Sequence, residues 1–243
     1  MSLLGTLFGA RDRSRQLDEP LRTAVARWNA LAPADLLGPL SAQRWLVVDV
    51  ETTGLDMQRD RLLAIGAVLV EGATIRVDQS FEVVIGQATP SVTDNILIHR
   101  ISGSEQLGGV DAAIALVEFL DFSKKLPCVA FHAAFDETIL KRAIEEHLGI
   151  DYSPPFIDLA LLAPALVSEA TQSLRGLDDW VEHFSIAISA RHRAIADAVG
   201  TAQLLQVLLS HAAAQDCHSA DTLFKLARDQ RWLSRAGIID TAR

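Results

Sequence analysis

Three groups of residues in this sequence have types and spacings that could do chemistry. The first is Leu46-Val47-Val48-Asp49-Val50-Glu51-Thr52-Thr53-Gly54-Leu55. Side chains alternate faces along a strand, so Asp49 and Glu51 project from one face at the strand's end. Two carboxylates beside an apolar strand are costly unless something positive lies between them. A hard divalent cation, which prefers oxygen ligands, is the natural occupant. Two solvated acids at a strand end fit the same segment equally well. The second group is Phe131-His132-Ala133-Ala134-Phe135-Asp136. It follows an apolar run and opens a helix, where the helix dipole favours a carboxylate. On its own, Asp136 is a simple first-turn acid. The third group is Arg191-His192-Arg193-Ala194-Ile195-Ala196-Asp197-Ala198. His192 precedes a long helix, and Asp197 is expected in its second turn among small apolar residues. An acid on a packed face needs a partner. Histidine titrates near neutrality and can act as a general base. As an isolated pair, a structural hydrogen bond explains them as well as catalysis does.

The elements that must position these groups are legible from periodicity. Trp45–Val50, Arg61–Val70 and Thr74–Val84 read as three strands joined by short polar connections, an antiparallel meander. A helix follows at about Val110–Phe122, a strand at Pro127–Phe131 and a helix at about Phe135–Leu148. Phe156-Ile157-Asp158 is expected to open another helical stretch. Ser173–Phe184 reads as a short helix with Ser173 as N-cap, and Arg193–His211 as a long one. This order predicts an α/β domain over residues 41–212 with a mixed sheet and helices on its faces. Leu21, Ala24, Val25, Trp28 and Leu31 recur at helical steps between Pro20 and Pro33, so residues 1–40 carry an amphipathic helix, expected to pack on the chain itself. Residues 213–243 form a second helical extension, with Leu223, Leu226, Ala227, Gln230 and Leu233 at helical spacing.

Composition narrows the classes. With 243 residues and 49% of them hydrophobic, the chain can bury a core without staples. Cys128 and Cys217 fit no zinc or redox spacing, which suggests a reducing compartment. The apolar stretch Leu62–Val70 is far shorter than the ~20 residues a membrane helix needs. The first ten residues lack a basic region ahead of their apolar part, a poor signal peptide. A cytoplasmic protein without membrane association is the expectation. The balance of 22 basic against 31 acidic residues gives a net charge of -9, which speaks against broad coating of duplex DNA.

Taken together, Asp-x-Glu on the first strand, Asp at a later strand-to-helix junction and His-x4-Asp on a C-terminal helix are far more specific than any one piece. The pattern resembles the DEDD-type 3′→5′ exonucleases of the ribonuclease-H-like fold. Within them it is similar to the histidine subclass, which includes the proofreading ε subunits of bacterial polymerases. Asp49-Val50-Glu51-Thr52-Thr53-Gly54 and His192-Arg193-Ala194-x-x-Asp197-Ala198 read close to the family's strings. The tyrosine subclass is excluded: its tyrosine position holds Arg193, and the only tyrosine is Tyr152. The second motif departs, with Phe131-His132 where the family has His-Asn.

The resemblance implies two Mg²⁺ or Mn²⁺ ions. Asp49, Glu51 and Asp197 would hold one, Asp49 would bridge to the second, and Asp136 would act directly or through water. His192 would take a proton from the attacking water. Substrate contacts fall to Thr52, Thr53, Gly54, Leu55, His99, His132 and Phe135, with Leu55 as an apolar wedge and His132 as a replacement donor for the lost asparagine. Arg59, Arg61, Arg191 and Arg193 are candidate backbone contacts, and Asp158 is structural. The implied partners are 3′ ends of single-stranded nucleic acid and a DNA polymerase subunit. RNA or oligonucleotide trimming, and a weakened polymerase- or nucleic-acid-binding module, are the other readings the sequence leaves open.

Overall fold

A computed structural model describes residues 17–91, 100–167, 174–188 and 192–235. The first helix, α1 (Glu19–Asn29), starts where Asp18 accepts the Leu21 N–H at 3.1 Å and Pro20 occupies the first turn. Its apolar face buries Val25 and Trp28. The Trp28 ring stacks on Tyr152 at 5.9 Å, and the Lys125 ammonium lies 4.2 Å from its centroid. The N-terminal helix thus packs on its own chain.

Three strands form the meander: β1 (Arg44–Thr52), β2 (Leu62–Glu71) and β3 (Thr74–Val84), each antiparallel to the next. Every β2 residue but the last is buried, as expected for a strand covered on both faces. After β3 come two helices, α2 (Gly103–Leu107) and α3 (Ala112–Ser123). Two short strands, β4 (Cys128–Ala130) and β5 (Phe156–Asp158), flank α4 (Ala134–Leu148). Both extend the sheet in parallel, giving the order β3-β2-β1-β4-β5. The remaining helices are α5 (Leu159–Leu166), α6 (Leu177–His183), α7 (Ala194–Ala214) and α8 (Ala220–Arg235).

Alternation along β1 divides the interior. Leu46, Val48 and Val50 face a layer containing α1, α3 and α4. Trp45 and Val47 face α5, α6, α7 and α8. The fold is a mixed five-stranded sheet with helices on both faces and helical segments at either end, the ribonuclease-H-like arrangement.

Some expectations need correction. Phe156–Asp158 is a strand, not the start of a helix: it pairs with β4 before α5 begins at Leu159. The long helix begins at Ala194, so Asp197 lies in its first turn rather than its second. The short helix α2 carried no periodic signal. The short helix α6 starts at Leu177 with Gly176 at its N-cap position, so it is shorter than the expected Ser173–Phe184 helix and is not capped by Ser173, which itself lies outside the described residues.

Candidate active site

The β1 alternation that buries Trp45 and Val47 against the α5–α8 layer also sends Asp49 and Glu51 toward it. Asp197 meets them from the first turn of α7. Ligand oxygens of these three acids lie within 4.8 Å of one another, with Asp197 buried and the other two half-buried. Three carboxylates so close repel strongly if all are ionised. An all-oxygen set of this size suits a hard divalent cation, so the residues fit the implied metal.

What brings α7 so near the sheet is Gly66. From β2 it lies opposite Asp49 of β1 and opposite Glu82 of β3. A Cβ at Gly66 would stand 2.1 Å from Ala194 C and Ile195 N, so the helix start rests directly on the strand backbone. Beyond Gly66, Arg193 donates to Glu82 at 2.9 Å and ties the same turn to β3. The His192 backbone N–H donates to Asp197 Oδ2 at 3.0 Å. His192 adopts φ 65° and its side chain is exposed at the edge of the site.

Asp136 enters from α4. The short strand β4 ends at Ala130, and Asp136 Oδ1 accepts the Val50 N–H at 3.0 Å beyond that end. Asp136 is thereby fixed beside the strand that carries Asp49 and Glu51. Next to it, Asp158 caps α5 and accepts the His132 backbone N–H at 2.9 Å. Burial pushes the Asp136 carboxyl well above its ordinary range, and the charges of Asp158 and Glu51 add to the rise. Burial also raises Asp158.

A pH dependence follows with a definite sign. With its carboxyl pushed up by burial, Asp136 is expected to hold in the folded, metal-free protein a proton that the unfolded chain releases from about pH 4 upward. The stability tied to this group is therefore full below about pH 4 and declines as pH rises toward the raised folded value. Urea titrations in EDTA at pH 5 and pH 8 should show wild type losing more stability than Asp136→Asn, at most about 1.4 kcal/mol per pH unit. Parallel losses in the two proteins would refute the buried-proton assignment.

The β1–β2 connection builds a rim beside the acids. Thr53 Oγ1 donates to Asp60 Oδ1 at 2.8 Å and accepts the Arg61 N–H at 2.9 Å. Asp60 Oδ2 also accepts the Asp56 N–H at 2.8 Å. A Cβ on Gly54 would come within 2.5 Å of the Asp60 carboxylate, so glycine permits the turn. From α4, Arg142 donates to the carbonyls of Met57, at 2.6 Å, and Asp60. This frame holds Leu55 outward at 88% exposure.

Comparison with known proteins adds lineage to this geometry. Residues 46–205 match the RNase T-type exonuclease family, and that span contains all four acids and His192. The chain belongs to the DEDD-type 3′→5′ exonuclease family. A DNA polymerase III PolC-type protein of Thermotoga maritima is 33% identical over 165 residues, covering 66% of this chain but 11% of that protein. A DNA polymerase III subunit epsilon-like protein of Rhodobacter capsulatus is 31% identical over 176 residues, covering 70% of this chain and 24% of that one. This chain thus spans a small fraction of these relatives. Among solved structures, E. coli exonuclease I in complex with a dT13 oligonucleotide aligns with a TM-score of 0.59 at 16% identity, over 71% of this chain and 42% of that one. Exonuclease X in complex with 5′ overhanging duplex DNA aligns with a TM-score of 0.58 at 17% identity, over 75% of this chain and 99% of that one. At such identities the likeness speaks to the fold.

In this exonuclease-family chain, Asp49, Glu51 and Asp197 converge, and Asp136 and His192 are hydrogen-bonded to the elements that carry them. Thr52, Thr53, Gly54 and Leu55 line the rim, with the Thr53 hydroxyl committed to Asp60. His132 is exposed at φ 60°, edge-on to Phe131 at 4.8 Å, and Phe135 is half-buried in the first turn of α4. His99 and Arg191 lie outside the described residues. The candidate backbone cations have protein partners: Arg59 pairs with Asp56, Arg61 donates to the Thr89 carbonyl, and Arg193 pairs with Glu82. Gly66, Asp60 and Arg142 escaped the sequence reading. An isolated glycine inside an apolar strand was the available signal for Gly66. The Asp60 and Arg142 contacts have no local signature.

Proposed function

We propose that this chain is a divalent-metal-dependent exonuclease that removes nucleoside 5′-monophosphates from the 3′ end of single-stranded DNA. The observation that carries the reading is the convergence of Asp49, Glu51 and Asp197 on one point, with Asp136 held beside their strand. Asp49, Glu51 and Asp197 would hold a divalent ion such as Mg²⁺ or Mn²⁺, and Asp136 would serve a second one directly or through water. Bound there, such ions would supply an acidified water and charge compensation for the leaving oxygen. His192, exposed at the edge, accepts the proton of the attacking water. Its place depends on Asp197, which fixes its backbone N–H. Leu55 packs against the terminal base, and the Asp60–Thr53–Arg142 frame keeps that wedge in place.

The acidic balance of the chain accords with an enzyme that grips a few terminal nucleotides rather than a long duplex. A DNA polymerase subunit is the proposed partner, supported by the polymerase III relatives. DNA as substrate draws on the same relatives. The test is a competition between single-stranded DNA and RNA 20-mers with chromatography of the products. Faster release of deoxynucleoside 5′-monophosphates supports the reading. Faster RNA trimming moves the substrate to RNA, and internal fragments would refute exonuclease action.

A further inference from the structure

The last described helix carries a surface that the exonuclease reading leaves unused. Helix α8 starts at residue 220, beyond the family match that ends at 205. It packs on α5 and β5 through Leu223 and Ala227, and Phe224 lies against Trp45 at 6.5 Å. Its outer face is of another kind. Arg228, Arg231 and Trp232 are exposed and follow one another at helical i, i+3, i+4 spacing. The helix holds four basic residues against two acidic ones, in a chain whose net charge is -9.

Trp232 is the anomaly. The other tryptophans, Trp28, Trp45 and Trp180, are at most 3% exposed, whereas Trp232 is 64% exposed. A large aromatic surface left in water on the same helix face as two arginines matches the chemistry of a stacking platform, where an aromatic face takes a base and arginines take phosphates. The position also matters. Helix α8 packs on β5, whose last residue is Asp158, so it lies on the β5 side of the domain that carries the carboxylate site.

We propose that Arg228, Arg231 and Trp232 form a second contact for single-stranded nucleic acid, holding nucleotides upstream of the 3′ end while that end occupies the carboxylate site. This rests on the exonuclease reading for the direction of the strand. A short substrate would not reach α8, and a long one would. The platform thus sets a preference for length without touching the reacting bond. Charge favours this occupant over a protein: a polyanion complements the local excess of positive charge, and each base offers a π-face.

The experiment reads Trp232 directly. At 64% exposure its emission should be that of a solvent-exposed indole, distinct from the three buried ones. Titrating the metal-free protein with a dT20 oligonucleotide should quench that component, and Trp232→Phe should lack it. Trp232→Ala should weaken dT20 binding by roughly 5- to 160-fold, the range for one stacked base. Arg228→Ala with Arg231→Ala should lower the slope of log affinity against log salt by about 1.4. With Mn²⁺ present, the Trp232 variant should show a raised KM for the 20-mer and unchanged hydrolysis of a dinucleotide. No quenching, together with unchanged 20-mer affinity and KM, overturns the proposal. A wild-type protein that hydrolyses neither substrate but still shows the quench refutes the exonuclease reading and keeps the platform.

Discussion

Replacing Asp197 with alanine is expected to lower the rate of 3′-end hydrolysis by at least about a thousandfold, a loss of roughly 4 kcal/mol of transition-state stabilisation. Two contributions disappear together. The Asp197 carboxylate is one of three whose oxygens lie within 4.8 Å, so its removal opens the divalent-ion set. It also accepts the His192 N–H at 3.0 Å, so the proposed proton acceptor loses its anchor. The protein should remain folded, because the substitution removes a buried carboxylate and only a small volume from the first turn of α7. A thermal melt with and without Mn²⁺ gives the independent readout. Wild type should gain stability in proportion to the logarithm of the metal concentration above Kd, and Asp197→Ala should gain almost none. If trimming and the metal-dependent shift both persist, the assignment of the site fails.

The second large effect is expected at a residue that touches neither substrate nor metal. Gly66→Ala would place a methyl 2.1 Å from the backbone of Ala194 and Ile195. Backbone cannot turn aside as a side-chain end can, so the start of α7 must lift from the sheet. Asp197 rides on that turn, while Asp49 lies opposite Gly66 on the neighbouring strand. A displacement of about 1 Å is enough to cost roughly a hundredfold in rate. Overpacking of this kind costs about 1–3 kcal/mol of stability as well. Gly38→Ala is the control, since its Cβ would meet only an Asp35 oxygen at 3.5 Å. Gly66→Ala should lose both activity and metal-induced stabilisation, and Gly38→Ala neither. A fully active Gly66→Ala would show that the close approach does not set the geometry of the acids.

The parts of the site that were legible in the sequence are those governed by short-range geometry. Strand alternation alone puts Asp49 and Glu51 on one face, and β1 does this. Junction logic places Asp136 at a helix start and His192 just before another. What escaped depends on contacts distant in sequence. The Thr53–Asp60–Arg142 frame joins a loop to a helix 82 residues on, and Arg193 meets Glu82 across 111 residues. Spacing cannot report such pairs, so Arg193 looked like a free cation for phosphates. Strand β5 is only three residues long and follows Pro154-Pro155, so its period could not show before α5 took over. The amphipathic period of α8 was visible, but its meaning lies in which face is covered. Leu223 is fully buried while Trp232 is not, a difference set by packing on α5 and β5.

The central claim is that Asp49, Glu51 and Asp197 make a metal-dependent site that shortens nucleic acid from its 3′ end. A gel time course on a 5′-labelled single-stranded DNA 20-mer tests it most directly, run with Mn²⁺, with EDTA and with an Asp49→Ala variant. The account predicts a ladder that shortens progressively from the 3′ end in wild type with Mn²⁺ and in no other lane. An identical ladder in EDTA or in Asp49→Ala would contradict it, as would the absence of any shortening by the folded wild-type protein.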